Sequence, residues 1–286
     1  MPKPILCIGA LTRDTIFRVE ALPATAGKII PIEAREVSEG MAAAQATSIV
    51  RLGCQAALWA STGDDALGDT LVRDISGEGV DTANVRRLPG ARSAFSTILM
   101  DRTGNTIIVP QYDDTLTTPP GAVPDFTQFS AIMCDVRWPA AAEIALRAAK
   151  ALGIPGILDL DVGPKDVPRK LIPLASHVVA SERGSKLATG LEPEAAALEL
   201  GVVTMGERGC WWRDGTTVRH GAAPAVDAID TLSAGDVFHA GFAIGLVEGW
   251  PTDRIIAFAS MAAAIKCTRF GGRLGCPTRA EVEARL

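Results

Sequence analysis

Residues 230–236 read Asp-Thr-Leu-Ser-Ala-Gly-Asp, and an apolar run follows at once with Val237, Phe238, Gly241, Phe242, Gly245 and Leu246 at helical spacing. The spacing predicts a buried helix over 235–248. Small residues ahead of it let backbone N–H groups approach an anion. A helix N-terminus adds unpaired N–H donors and the positive end of its dipole. Asp236, in the first turn, is placed to take a proton from an alcohol while the N–H groups of Ala234, Gly235 and Asp236 hold a transferring phosphoryl group. An N-capped core helix carries the same pattern, because capping carboxylates are common. The rest of the chain has to separate the two readings.

Elsewhere, short apolar runs ending in Gly or Asp alternate with Ala-rich stretches. Residues 5–9, 57–60, 131–134, 157–160, 177–180 and 202–205 read as core strands. Residues 42–52, 65–77, 139–152, 193–200, 252–267 and 278–285 read as helices. This alternation predicts an α/β fold with a mainly parallel sheet covered on both faces. Ligands in such folds bind beyond the C-terminal strand ends. Asp14, Asp135, Asp159, Asp161, Ser181 and Gly206 all follow predicted strands and are expected to line one crevice. Two regions break the rhythm: 15–20 with 28–37, and 94–100 with 105–110, the second a hairpin around 101–105. They predict a separate small sheet or, more plainly, an ordinary edge hairpin.

The 286 residues suffice for one large α/β domain or two smaller ones, and 48% hydrophobic residues allow a substantial core. A net charge of −5 without a long basic run argues against a nucleic-acid partner. The six cysteines lie far apart with no Cys-x-x-Cys pair and no histidine at metal-ligand spacing, so reduced thiols are expected rather than zinc. No apolar stretch approaches the ~20 residues of a membrane span, and the first apolar run is too short for a signal-peptide core. A soluble, cytoplasmic protein is expected.

The 230–236 stretch resembles the Asp-Thr-x-Gly-Ala-Gly-Asp motif of the ribokinase-type carbohydrate kinases, the PfkB family. Every position fits except Ser233, where the family has its first glycine. The resemblance implies one ribokinase-like three-layer α/β/α kinase domain over 1–286. Its small β lid would come from about 15–37 and 94–110, covering the sugar and forming a homodimer surface. It implies ATP with Mg2+, and it puts Asp230 and Thr231 where family members bind a monovalent cation such as K+. Asp236 is then the catalytic base, with Gly235, Ala234 and Ser233 around the transferring group. Asp14 matches an aspartate that binds sugar hydroxyls. Gly40 matches part of a Gly-Gly signature, with Glu39 in place of its first glycine and Ala44 in place of its asparagine. Thr204, Gly206 and Gly209 match the strand and glycine turn beside the nucleotide, and Gly272 lies toward the nucleotide end. Ser181-Glu182-Arg183-Gly184 stands where the family has Asn-x-x-Glu, a motif that organises magnesium and phosphate. Ser181 is thereby a nucleotide-side residue, and Glu182, Asp159 and Asp161 are the magnesium candidates.

Residues 134–138, 158–161 and 265–273 are most similar to the ketohexokinase and sulfofructose kinase branch. Arg137 follows a strand and offers paired donors to a sulfonate or phosphate, or else makes a structural ion pair. Lys28 matches a lysine in the lid of that branch. The expectation is ATP-dependent phosphorylation of a sugar hydroxyl, on a ketohexose or an anionic derivative such as sulfofructose. A nucleoside or sugar-phosphate kinase is the first alternative. A non-catalytic sugar or nucleotide sensor is the second, motivated by Ser233, Ser181 and Gly184.

Overall fold

The computed structural model describes residues 3–163 and 166–286. Its strands are β1 (Ile5–Gly9), β2 (Thr12–Arg18), β3 (Glu33–Glu39), β4 (Ala56–Gly63), β5 (Arg86–Leu88), β6 (Phe95–Met100), β7 (Thr106–Gln111), β8 (Ala131–Cys134), β9 (Gly156–Leu160), β10 (His177–Ser181), β11 (Gly201–Thr204), β12 (Cys210–Asp214) and β13 (Thr217–Gly221). The α-helices are α1 (Met41–Arg51), α2 (Ala66–Gly77), α3 (Pro139–Leu152), α4 (Val167–Leu171), α5 (Glu182–Thr189), α6 (Pro193–Leu200), α7 (Ala234–Val247), α8 (Thr252–Cys267) and α9 (Arg279–Glu283).

The large sheet has the order β13-β12-β11-β10-β9-β8-β1-β4-β5. It is parallel from β11 to β5 and antiparallel only at β11–β12 and β12–β13. Successive side chains of a strand point to opposite faces, and β1 shows the consequence. Ile5 and Cys7 join the core built with α1, α7 and α8, whereas Leu6 and Ile8 join the one built with α3 and α6. Both faces are therefore covered, as a parallel sheet requires. The strand order reverses between β1 and β8, which opens a crevice at their C-terminal ends.

The lid is a sheet of its own, ordered β3-β2-β6-β7, so it is not an edge hairpin of the main sheet. Its β2–β6 pair is parallel, and the other two pairs are antiparallel. The lid strand β3 starts at Glu33, later than expected, and residues 28–32 lie outside it. Five elements were not anticipated: β5, α4, α5, β12 and β13. Helix α5 has a Ser181 N-cap and a Gly190 C-cap in the left-handed region. The β12–β13 hairpin turns at Gly215-Thr216, where Gly215 has φ 62°. Among the described residues no helix is long and apolar enough to cross a membrane.

Helix α7 is apolar almost all round, so it is a core helix and not a surface one. Burying Val237, Phe238, Phe242 and Ile244 stabilises it by about 1.5–3 kcal/mol each. It packs along α8 at the closest range its glycines permit. A Cβ on Gly241 would lie 2.9 Å from Ala259 Cα, and one on Gly245 would lie 2.6 Å from Ile255 Cγ1. Gly241→Val is therefore expected to lower stability by about 1–3 kcal/mol through overpacking. Thermal unfolding reads this, and an unchanged Tm would mean that α7 and α8 can separate without cost.

Candidate active site

Ser233 is the only non-glycine residue with positive φ among the described residues, at φ 57° and ψ 10°. It precedes α7 and turns the chain sharply into the helix. The N–H of Ala234 donates to Thr231 O at 3.2 Å, and that of Val237 donates to Ser233 O at 3.0 Å. Between them the N–H groups of Gly235 and Asp236 make no hydrogen bond among the described residues. Two donors thus face the crevice at the positive end of the α7 dipole, where an anion is stabilised. Ala234 was expected to supply a third; its N–H has an internal partner instead.

Asp236 lies at the edge of this pair, half-buried. Burial pushes its pKa well above the usual carboxylate range, and the charges of Asp159 and Glu39 add to the rise. Gln45 Nε2 donates to Asp159 Oδ2 at 2.6 Å and reaches Asp236 Oδ1 at 3.4 Å. His239, one turn along α7, has Nδ1 2.6 Å from Gly235 O and Nε2 3.1 Å from Val179 O and 3.3 Å from Asp159 Oδ1. Asp159, expected as a magnesium candidate, is therefore tied into this network. Asp135 is also used internally: it accepts the N–H groups of Ala10 at 2.8 Å and Arg137 at 2.7 Å, tying the ends of β1 and β8.

From the lid, Asp14 accepts hydrogen bonds from Thr12 Oγ1 at 2.9 Å and Ser96 Oγ at 2.7 Å, and desolvation raises its pKa. Gly40 has φ 106°, and a Cβ there would lie 2.5 Å from Ala10 O, so a glycine is required. Arg137 is half-buried and makes no side-chain hydrogen bond or ion pair among the described residues, while its charge acts on Asp135, Asp159 and Tyr112. Tyr112 follows β7; burial raises its pKa, with Asp135 and Asp14 adding to the rise and Arg137 opposing it. Lys28 is exposed and has no ion-pair partner among the described residues.

Glu39 has the least expected environment. It ends β3 with only 3% of its surface exposed. Its Oε1 accepts the N–H of Arg273 at 2.6 Å and the hydroxyl of Ser233 at 3.2 Å. A Cβ on Gly272 would come within 2.2 Å of the same oxygen. The two side chains that replace family glycines, Glu39 and Ser233, are thus hydrogen-bonded to each other. Gly272, at φ 57°, is a cradle for Glu39.

At the ends of β10 and β11, Ser181 Oγ caps the N–H of Gly184 at 2.9 Å and donates to Asp161 Oδ1 at 2.7 Å. A Cβ on Gly184 would lie 2.2 Å from Leu160 O, so no larger residue fits there. Thr204 Oγ1 is 3.3 Å from Ala180 O. Gly206 and Gly209 have positive φ, and a Cβ on Gly209 would lie 1.9 Å from Gly221 O. Glu182, expected as a magnesium candidate, pairs its carboxylate with Arg208 on the surface. Among the described residues no three His, Cys, Asp or Glu side chains converge on a metal position. At Asp230, where a monovalent cation was expected, Lys266 Nζ lies 3.0 Å from Oδ1, and Thr231 is exposed beside it.

An open helix N-terminus with a half-buried carboxylate at its edge is a geometry suited to phosphoryl transfer to an alcohol. The family model for pfkB family carbohydrate kinases matches residues 3–279. The chain belongs to the pfkB family. Accordingly it is a sugar or nucleoside kinase, a phosphotransferase with an alcohol acceptor, of a family that uses ATP. The chain is similar to a crystal structure of a putative ribokinase from Agrobacterium tumefaciens, 43% identical with TM-score 0.94, covering 100% of this chain and 97% of that one. It is similar to the Bacillus subtilis ribokinase, 26% identical over 99% of both chains. It is also similar to the ATP-dependent ribose-1-phosphate kinase of Halopiger xanaduensis, 27% identical over 99% of this chain and 97% of that protein. These pfkB relatives carry ribose-type names, and none singles out the ketohexokinase and sulfofructose kinase branch.

Sequence reasoning left Gln45, His239, Lys266 and Tyr112 unassigned. His239 follows Asp236 by one helical turn, and Lys266 interrupts an apolar helix, so both left a trace. Glu39 yields a test. Burial and the nearby Asp14 charge raise its pKa from 4.5 to about 7. A carboxyl raised on folding leaves stability intact below its unfolded pKa and withdraws it as pH rises through the folded one. Wild-type stability should therefore fall between pH 4.5 and 7 relative to Glu39→Gln, by on the order of 3 kcal/mol at full shift. Parallel Tm–pH curves for the two proteins would show instead that Glu39 titrates normally.

Proposed function

We propose that the chain phosphorylates a hydroxyl of a sugar that already carries an anionic group, with ATP as donor, working as one kinase unit over 1–286. The observation that carries the reading is the pair of unpartnered N–H groups at Gly235 and Asp236 beside the raised carboxyl of Asp236. Asp236 accepts the proton of the attacking hydroxyl. Its raised pKa makes it a better base than an ordinary aspartate, and a loose transition state asks for little more than positioning. The N–H groups of Gly235 and Asp236 hold the charge that builds on the transferring group.

The acceptor side is rich in carboxylates. Asp14 accepts two hydroxyl hydrogen bonds from its own lid, so it is already oriented for a polyol. Arg137 supports the anionic substituent, because its guanidinium lacks an internal partner among several acids. That a relative is named for ribose-1-phosphate makes a charged sugar a natural acceptor for this family. Sulfofructose falls within the reading; a neutral ketohexose, a neutral pentose and a nucleoside are the alternatives to it. Lys28, exposed on the lid, adds a second cation only if the lid closes.

On the donor side, Ser181, Thr204, Gly206 and Gly209 border the nucleotide. Mg2+ would neutralise the triphosphate. Asp161, bonded through one oxygen to Ser181, is the carboxylate left to hold its waters. The lid also supports pairing of two copies: β7 is an edge strand, exposed throughout, with Ile107, Ile108 and Val109 in the open.

A coupled ADP-release screen over pentoses, ketohexoses, sulfofructose, sugar phosphates and nucleosides tests the assignment; sugar-independent ATP binding without turnover would favour the sensor. In Asp236→Asn, kcat should fall roughly 10²–10⁴-fold with nucleotide binding kept. Near-normal turnover in that variant would remove Asp236 from the chemistry. Loss of a charge-assisted pair costs about 1.5–3 kcal/mol, so Arg137→Ala should raise KM for an anionic sugar about tenfold or more. A neutral sugar preferred by the wild type would end the anionic reading and leave the kinase standing.

A further inference from the structure

Lys266 sits near the end of α8 with no exposed surface. Its Nζ lies 2.8 Å from Asp230 O and 3.0 Å from Asp230 Oδ1. Asp230 is equally sealed from water. Its Oδ1 also accepts the N–H of Leu232 at 2.8 Å, and its Oδ2 accepts those of Gly271 at 2.8 Å and Gly272 at 2.9 Å. One ammonium therefore meets a carbonyl and a carboxylate of the segment that turns directly into α7. An ammonium matches a potassium ion in charge and nearly in size.

We propose that Lys266 is a positioning residue that acts as the built-in cation of this turn, so that the chain orders 230–236 without binding K+ at Asp230. The inference rests on the kinase reading of that turn. A second cation brought to these oxygens would be repelled by the ammonium and would find the carboxylate already engaged by three N–H groups. The peptide N–H groups of Ile229 and Asp230 both donate to Cys267 O, at 2.8 and 3.1 Å. The residue after Lys266 thus clamps the same segment, and the end of α8 sets the place of the turn.

The test compares K+ with tetramethylammonium at one ionic strength, reading both turnover and thermal unfolding. The wild type should keep its kcat within about twofold and its Tm unchanged between the two salts. Lys266→Ala strips Asp230 of its cation and opens room for an ion. Its kcat in tetramethylammonium should fall about tenfold or more, and K+ should restore kcat and raise Tm. Lys266→Met fills the space with apolar atoms and should gain nothing from K+. Activation or thermal stabilisation of the wild type by K+ overturns the proposal. So does an alanine variant that K+ does not rescue. An alanine variant that folds only in K+ supports it. If that variant folds in neither salt, the wild-type salt response decides: flat supports, K+-dependent overturns. If no acceptor is turned over, the kinase reading fails by itself, and the Tm comparisons still decide the role of Lys266.

Discussion

A carboxylate and an ammonium, both sealed from water, hold together the two loops on which the site is built. Asp230 receives Lys266 from α8, Leu232 from its own turn, and Gly271 and Gly272 from the segment after α8. Desolvating two such charges is expensive, and breaking a buried pair by removing one partner costs about 3–5 kcal/mol. The pair persists because every lone pair of the carboxylate has a donor. Once Asp230 is fixed, the 231–233 turn can be held in its left-handed form at Ser233, and the Gly272–Arg273 turn is brought up against Glu39.

The crevice above this tie concentrates negative charge. Asp14, Glu39, Asp135, Asp159 and Asp236 all have raised pKa values, each led by desolvation, and several raise one another. Such a cluster suits a ligand that donates many hydroxyl hydrogen bonds. It also brings the carboxyl at the α7 N-terminus toward the range where it works as a base. Arg137 is the cation inside this field without an ion pair, and it lowers Asp135 and Asp159 in part.

The departures from the family pattern are mutually compensating. Glu39 reaches across from the lid to the hydroxyl of Ser233, so two side chains where glycines are usual form one contact between lid and helix start. Ser181 caps Gly184, and Gly184 lets α5 press on the Leu160 carbonyl. What looked in the sequence like erosion of a magnesium motif is a compact N-cap. Its consequence is that Asp161, held by Ser181, remains as the carboxylate at that edge.

The layered fold was legible in the sequence because periodicity and length reflect burial directly. The apolar runs at 5–9 and 131–134 and the helices at 139–152, 193–200 and 252–267 have the observed bounds. The glycine at 40 was legible because its positive φ and the close Ala10 carbonyl demand that residue type, and Asp236 was placed in the first turn of a helix because the apolar run sets that helix. Helix α5 was hidden by a polar, glycine-containing segment that only its two caps define. What the sequence could not determine is which charged groups meet across long separations. Glu39 joins Ser233 and Arg273, Lys266 joins Asp230, and Gln45 joins Asp159 and Asp236 only once α1, α7 and α8 are packed on the large sheet and the lid strand β3 meets them. Spacing along the chain carries no record of such pairs, because their energy comes from burial that exists only in the folded molecule.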